Sequence, residues 1–462
     1  MKKIITLLMV CTVLCTVVFA QNASGFKTDG KGTITGYDGW DTKIVIPTQI
    51  NGVPVTAVGD NAFKNMGLTS VTFPASIKYI GKAAFISNKI TNVTIPANVT
   101  IDEDAFSSNQ MTGLTLGNGC IIASSSFARN NLKNLALGAN IRFERDAFSL
   151  FMYYEYMCNG RKAGTYDATV NYTPKKDGDY EFIETKYGSV IIAYTGSDGN
   201  RLQIPQRLGR SAVKGIDSKL NGRQYVGAFY RKNVSRMQLP DSLLFIGHQA
   251  FSSNELTSVT IPNSVISIGT GAFSSNKLTS VTIPNSVILI SAGAFYENPL
   301  TSITIPNSVT YIGELAFSWN HLTNVTIGNS VTYIGKEAFC PNQLTSVTIP
   351  SSVTYIGEKA FSENQITDIT IGNGVTYIGA RAFSRNKLIN VTIPASVTSI
   401  DREAFDSNPL KRVTFQGMIN KDNFNGSAFG SELWTKYYAA NGGIGTYINT
   451  STREYYPEWT KQ

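Results

Sequence analysis

Histidine is almost missing from this sequence. Its two copies in 462 residues, His248 and His321, sit more than 70 positions apart, which leaves little for imidazole-based acid–base or metal chemistry. Charge is scarce as well, at 16% against roughly 25% in ordinary soluble domains. A chain held open by like-charge repulsion is therefore excluded, and 42% apolar residues supply a large core. Length alone suggests two to four domains. Lys and Arg number 40 against 32 Asp and Glu, a net charge of +8.

Cysteine is also sparse. Cys11 and Cys15 lie in an N-terminal apolar run, which leaves Cys120, Cys158 and Cys340, an odd number with no Cys or His at metal-ligand spacing. A disulfide framework and a metal site are both unexpected, and the three are read as buried thiols. No phosphate-binding loop or nucleophile elbow occurs, and Asp102-Glu103-Asp104 lacks an EF-hand pattern and reads as a solvated turn. These absences predict a protein that is not an enzyme and carries no cofactor.

Long apolar runs are limited to one. Lys2 and Lys3 precede the run Ile4 to Ala20, and Val18-Phe19-Ala20 places small residues where a signal peptidase cuts, so residues 1–20 are read as a signal peptide and the mature chain as starting at Gln21. The rivals are an uncleaved anchor and lipidation at Cys11 or Cys15. No other stretch reaches the ~20 apolar residues of a membrane span. The expected location is exported, secreted or at the cell surface, with the periplasm or outer membrane as alternatives.

What the sequence has in abundance is repetition. Phe251, Phe273, Phe295, Phe317, Phe339, Phe361, Phe383 and Phe405 recur every 22 residues, and so do the leucine or isoleucine at Leu256 through Leu410 and the asparagine at Asn254 through Asn408. An earlier set, Phe63, Phe85, Phe106, Phe127 and Phe148, has periods of 22, 21, 21 and 21. This amounts to about fifteen coils in two arrays.

One unit, Leu256 to Lys277, shows how a coil folds. Val259 and Ile261 alternate with Ser258 and Thr260, a short strand with an apolar inner and a hydroxyl outer face. Pro262 ends the pairing, Val265 and Ile268 turn a second short segment inward, and Ala272-Phe273 fills the axis. Asn254, three residues after Phe251, is expected to satisfy turn backbone groups and to bond the next Asn of the stack. One coil cannot bury its apolar set, so coils must stack and their ends must be capped.

Both arrays show matching ends. Thr33–Tyr37, an Asp38-Gly39 turn and Ile44-Val45-Ile46-Pro47 match Val190–Tyr194, a turn through Asp198-Gly199 and Leu202-Gln203-Ile204-Pro205, which predicts a leading hairpin for each. After the last coils, Asn159-Gly160 to Gly164-Thr165-Tyr166 matches Asn441-Gly442 to Gly445-Thr446-Tyr447, each behind an aromatic-rich stretch. The chain thus reads as a tandem duplication, residues 21–175 and 176–462, joined near Asp167 to Asp179.

Asn254-Glu255-Leu256-Thr257-Ser258-Val259-Thr260-Ile261 with its Ile-Pro, Ile-Gly and Ala-Phe extension resembles the BspA-like leucine-rich repeat family of bacterial surface proteins. The resemblance covers most of the mature chain. It implies a mainly β, right-handed solenoid of 21–22 residue coils with short strands and turns. It also implies a role in adhesion to matrix proteins, host cells or other bacteria, with no catalytic residues to carry over. Several relatives place Cys where this chain has Asn.

Three surfaces are candidates. The strand face carries Thr260, Thr282, Thr304, Thr326, Thr348, Thr370, Thr392 and Thr414, with Ser258, Ser280, Ser302, Asn324, Ser346, Asp368, Asn390 and Arg412 two residues earlier. Strand propensity explains threonines there; a face for extended peptide, glycan or ice is the alternative. A second column holds Tyr311, Tyr333, Tyr355 and Tyr377, where other coils have Ser267, Leu289 and Ser399. Tolerance from Ser to Tyr argues for an exposed aromatic strip, either a binding hot spot or a self-stacked prop. The third is basic: Arg201, Arg207, Arg210, Lys214, Lys219, Arg223, Arg231, Lys232 and Arg236 against Asp217 alone, nine positive less one negative, or +8. It reads as a solvated insertion or a contact for an anionic surface; nucleic acid is not expected for an exported protein. The function that fits is non-catalytic recognition of a host or neighbouring-cell protein or glycan; an architectural envelope protein is the alternative.

Overall fold

The computed structural model describes residues 25–123, 125–143, 150–167, 172–197, 201–221, 224–429, 431–439, 443–451 and 458–462. The expected signal peptide, Cys11, Cys15, Phe148, Arg223, Asp198-Gly199 and Asn441-Gly442 lie outside them. The chain divides into two compact units, residues 1–156 with 161–171, and 157–160 with 172–462. Each is mainly β, built of stacked coils.

In the second unit three backbone ladders tie each coil to the next. The first joins outer strands in parallel, as Ser302–Thr304 does with Asn324–Thr326 and Ser346–Ile349 with Asp368–Ile371, always 22 residues apart. Side chains alternate along these strands, exposed Ser or Thr with buried Val or Ile, as a half-buried strand requires. The second ladder is a run of two-residue strands, Ser267–Ile268, Leu289–Ile290, Tyr311–Ile312 and onward to Ser399–Ile400, within one 13-stranded sheet. The third lies in the turn before and after each Phe. Gln249, Phe251 and Ser253 donate their N–H to the carbonyls of Thr270, Ala272 and Ser274 at 2.8, 2.8 and 2.9 Å. Gln249 and Ser253 have φ of 49° and 56°. Every second N–H of this turn points along the stack, and that bonding offsets the left-handed conformation of Gln249 and Ser253, which non-glycine residues rarely adopt.

The Ile-Gly pair found in most coils of the second unit answers to close approach, with Ser291 and Asp401 at that position in two others. A Cβ at Gly335 would lie 2.5 Å from the amide nitrogen of Glu314 and 2.6 Å from the carbonyl carbon of Gly313. At Gly335 a side chain would collide with the backbone of the preceding coil.

Inside, the phenylalanines form a continuous pile from Phe229 to Phe429, with ring centroids 4.6–5.6 Å apart and interplanar angles of at most 17°. Phe63, Phe85, Phe106 and Phe127 pile in the same way in the first unit, at 5.0–5.4 Å. The 22-residue spacing hides Phe429, which follows Phe405 by 24.

The asparagine column works differently from the expected Asn-to-Asn bond. Oδ1 of Asn320 accepts from the Leu300 N–H at 3.2 Å, while Nδ2 donates to the carbonyls of Phe295 at 3.0 Å and Phe317 at 3.1 Å. Asn109 does the same with Ile90, Phe85 and Phe106. Each amide therefore staples its own coil to the backbone of the preceding one, and both of its Nδ2 hydrogens go to backbone carbonyls rather than to another Asn.

The ends of the units also correct the sequence reading. In the first unit the leading hairpin is Phe26–Thr28 with Thr33–Tyr37, while Lys43–Val45 pairs in parallel with Ser70–Thr72. In the second it is Tyr180–Thr185 with Gly188–Tyr194, and Leu202–Gln203 pairs in parallel with Met237–Gln238. The Ile-Pro segments are already coil strands, and the antiparallel partner lies upstream across a short turn. Phe26 and Tyr37 close the Phe63 pile, as Tyr180 and Tyr194 close that of Phe229.

At the other ends a short helix, Leu150–Cys158 or Ser431–Tyr437, is followed by a strand that turns the pairing antiparallel. Gly164–Asp167 covers Asn134–Leu137, and Gly445–Asn449 covers Arg412–Phe415. The Tyr156 hydroxyl accepts from Ile141 N–H at 2.8 Å and donates to Gly138 at 3.0 Å; Tyr437 repeats this with Ile419 at 2.9 Å and Gly417 at 3.1 Å. An open strand edge is thereby covered in each unit.

Candidate functional site

The second backbone ladder positions the four tyrosines. Tyr311, Tyr333, Tyr355 and Tyr377 are in parallel register, each beside a fully buried isoleucine. Their rings lie 4.8, 4.7 and 4.8 Å apart with interplanar angles of 7°, 2° and 6°. They are half-buried rather than an open strip, because face-to-face stacking at the strand spacing hides the ring faces and leaves the edges outward. The last hydroxyl, on Tyr377, donates to the Asp401 carboxylate at 3.1 Å. Burial, then the neighbouring Tyr355 and Asp401, hold that phenol well above its usual range. The first unit has one counterpart that the 22-residue count misses: Tyr79, whose hydroxyl donates to Asp102 at 2.7 Å. An aspartate two residues after the tyrosine's site in the next coil is the signal for both.

The threonine face is exposed from Thr260 to Thr392, whereas Thr414 is half-buried, its Oγ1 3.1 Å from that of Thr446 on the covering strand. The accessible row therefore ends one coil earlier than the sequence suggests. Two shallow depressions open on this face, one of about 290 Å³ among Ser346, Thr348, Asp368, Thr370 and Asn390, the other of about 680 Å³ among Ser280, Thr282, Asn285, Ser302, Thr304 and Asn307.

The basic stretch is partly neutralised by acids from an upstream strand. Lys219 pairs with Glu181 at 2.6 Å, and Glu184 accepts from the Arg210 N–H at 3.0 Å while pairing with Lys175 at 2.5 Å. Lys175 and Ser211 hold the Glu184 carboxyl below its ordinary range. Arg207 donates to the Arg210 carbonyl, Arg231 lies 5.1 Å over the Tyr230 ring and Lys232 6.0 Å over that of Tyr194. Arg201, Arg207, Arg210, Lys219, Arg231 and Arg236 are exposed, Lys214 and Lys232 half-buried. The extra length of this stretch is taken up by a hairpin, Ser218–Asn221 with Gln224–Gly227. A linear window could not see Glu181 and Glu184 because they precede it.

Elsewhere on the surface, charges pair from coil to coil. Lys336 meets Glu358 at 3.2 Å, Lys359 meets Glu337 at 3.2 Å and Arg385 meets Glu363 at 2.8 Å, each 22 residues apart. Exposed pairs of this kind contribute little individually. Cys120, Cys158 and Cys340 are buried, and burial pushes the Cys340 thiol up to about 12, which disfavours its reactive thiolate. Among the described residues no group of three His, Cys, Asp or Glu is placed to hold a metal ion, and no helix is long and apolar enough to cross a membrane.

The model of the BspA type leucine-rich repeat region matches residues 42–152, 225–342 and 310–433, in six copies. No curated protein matches the chain. Among solved structures, a leucine-rich cell surface protein from Faecalibacterium prausnitzii is 20% identical, with 88% of this chain and 89% of that one covered and a TM-score of 0.29. A leucine-rich repeat protein from Bacteroides ovatus is 19% identical over 84% and 97%, TM-score 0.36. The pneumococcal vaccine antigen PcpA is 19% identical over 54% and 82%, TM-score 0.35.

Proposed function

The chain belongs to the BspA-type leucine-rich repeat family, and from that premise we propose that it is an exported, non-catalytic recognition protein. Its ligand is a protein or glycan on a host or neighbouring cell surface, held by the outer columns of the second unit. The charged start and the apolar run to Ala20 support export. The observation that carries the reading is the tyrosine column: four phenol edges repeat at 4.7–4.8 Å on a surface whose other coils place Ser or Leu there. Tyrosine offers large contact area with little rotamer entropy to lose and a polar tip, which suits it to recognition. The basic stretch would add long-range attraction to an anionic surface.

The same stacking favours a second reading, an architectural envelope protein in which the column merely stiffens the solenoid. Presenting the mature chain from Gln21 to arrays of matrix proteins and glycans separates the two. Retention of a defined component supports recognition; an array on which nothing is held above background leaves the architectural reading.

A further inference from the structure

A separate column of the second unit breaks the repeat in another way. The residue before the buried asparagine is Ser253, Ser275, Glu297, Trp319, Pro341, Glu363, Arg385 and Ser407 along the stack. All but the proline are left-handed, with φ between 52° and 56°. Trp319 has φ 54° and is 62% exposed. A bulky residue is disfavoured in that conformation, and its apolar surface is not recovered by burial here. Serine satisfies the same position in Ser253, Ser275 and Ser407, so the indole adds nothing the coil needs.

The neighbouring departures fall close by. Tyr296 stands where Ser252, Ser274, Ser318, Ser362 and Ser384 recur, and the coil after it, which bonds to it through Glu297 N–H and the Ser318 carbonyl at 2.9 Å, carries Trp319 and the exposed His321. His321 leads directly into the outer strand. At the entry to that strand the exposed residues of three successive coils are Thr301 and Ser302, Thr323 and Asn324, Thr345 and Ser346, with Thr304, Thr326 and Thr348 exposed further along. These are hydroxyls and one amide, without a charge; the first charged residue in those rows beyond them is Asp368.

We propose that Trp319, His321 and the adjoining Thr323 and Asn324 form a binding site for a neutral saccharide. A pyranose ring has one face of C–H groups that packs on an aromatic plane and an equatorial rim of hydroxyls that needs uncharged donors and acceptors beside it. The indole supplies the plane, and His321, Thr323 and Asn324 supply the rim contacts. A charged partner finds nothing on these strand positions to pair with, and the carboxylate of Glu297, one coil before Trp319 in its column, already accepts from the Ser275 hydroxyl at 2.7 Å. The site goes beyond the tyrosine-column reading, since the tyrosines belong to the other parallel ladder of the coil.

The test is titration of the full chain with neutral hexasaccharides of glucose, mannose, galactose and xylose, and with a sulfated hexasaccharide, read by tryptophan fluorescence and calorimetry. At least one neutral sugar is expected to shift the emission and to bind at least tenfold more weakly to Trp319→Ser. That variant should keep its far-ultraviolet spectrum and melt no lower than the parent. Trp40→Phe, which alters the other strongly exposed indole at 98%, should leave the sugar affinity unchanged. Binding unaltered in Trp319→Ser, binding of the sulfated sugar alone, or no binding by any neutral sugar overturns the proposal. Loss of sugar binding on changing all four tyrosines to Ser, but not in Trp319→Ser, places the sugar on the tyrosine column: the Trp319 site then fails while the recognition reading stands.

Discussion

In the first unit the site beside the inward isoleucine or phenylalanine of each coil holds Tyr79, Thr100, Ile121 and Arg142; in the second, four consecutive coils hold Tyr311, Tyr333, Tyr355 and Tyr377. The inner columns of the same coils do not differ in this way. Phe85 and Phe317 pile on their neighbours alike, and Asn109 and Asn320 make the same bonds to the preceding coil. Packing and backbone satisfaction admit few residues on the axis, whereas the outer sites accept Thr, Ile, Arg or Tyr without changing the coil. A uniform outer column is therefore not demanded by the fold, and its presence in one unit only is what points to a role there.

The largest effect is expected from the inner columns. Asn320→Ala leaves the Leu300 N–H and the Phe295 and Phe317 carbonyls without this partner in a buried setting, a loss of about 3 kcal/mol. Asn320→Asp keeps the acceptor, loses the donors and should fall in between. We propose that the two units fold independently, since each has its own leading hairpin, terminal helix and covering strand. On that basis Asn320→Ala lowers only one of two calorimetric transitions and Asn109→Ala only the other. A single transition displaced equally by both variants would overturn the independence.

Outer-column changes come next and should act on binding rather than stability. Replacing Arg207, Arg210 and Lys214 by Ser is expected to weaken retention on anionic vesicles at low salt. Raising ionic strength from 0.01 to 0.15 M should do the same to the parent, as the screening length falls from ~30 to ~8 Å. Retention that responds to neither change removes the basic stretch from the account. Lys219 is the poorer target because Glu181 already pairs with it.

The smallest difference is a shared one at the covered ends. Burial pushes Tyr156 in the first unit and Tyr447 in the second up to about 12, against about 10 for a phenol in an unfolded chain. A folded-state value raised above the unfolded one means that the native state holds more protons between the two. The stability these phenols contribute is thus full below about pH 10 and is lost as pH rises through 12. Tyr156→Phe should flatten that alkaline slope for the first unit and Tyr447→Phe for the second. An unaltered slope in both variants would assign the alkaline loss to other groups.

Much of the fold was legible because it is periodic. The 22-residue spacing gives the Phe pile, the strand alternation and the Ile-Gly approach directly, since each coil repeats one solution to the same packing problem. What periodicity could not give lies where two coils meet or where the repeat stops. The asparagine partners are backbone groups of the preceding coil, which carry no sequence signature, and the leading hairpins pair with a strand upstream of the first recognisable repeat. The tyrosine column was legible as a column, but its half-burial was not, because volume tolerance at one site does not reveal that like residues will stack on each other. Trp319 was overlooked among αL serines and charged residues whose shared backbone conformation only the structure displays.

The central claim is that axial columns carry the fold and the tyrosine column of the second unit carries recognition. The most direct measurement changes Tyr311, Tyr333, Tyr355 and Tyr377 to Ser together in the full chain. It follows both the far-ultraviolet spectrum and the affinity for whichever array protein the parent retains. The account predicts an unchanged spectrum and an affinity lower by about thirtyfold, or ~2 kcal/mol. A variant that unfolds, or one that stays folded and binds its ligand as the parent does, would contradict it.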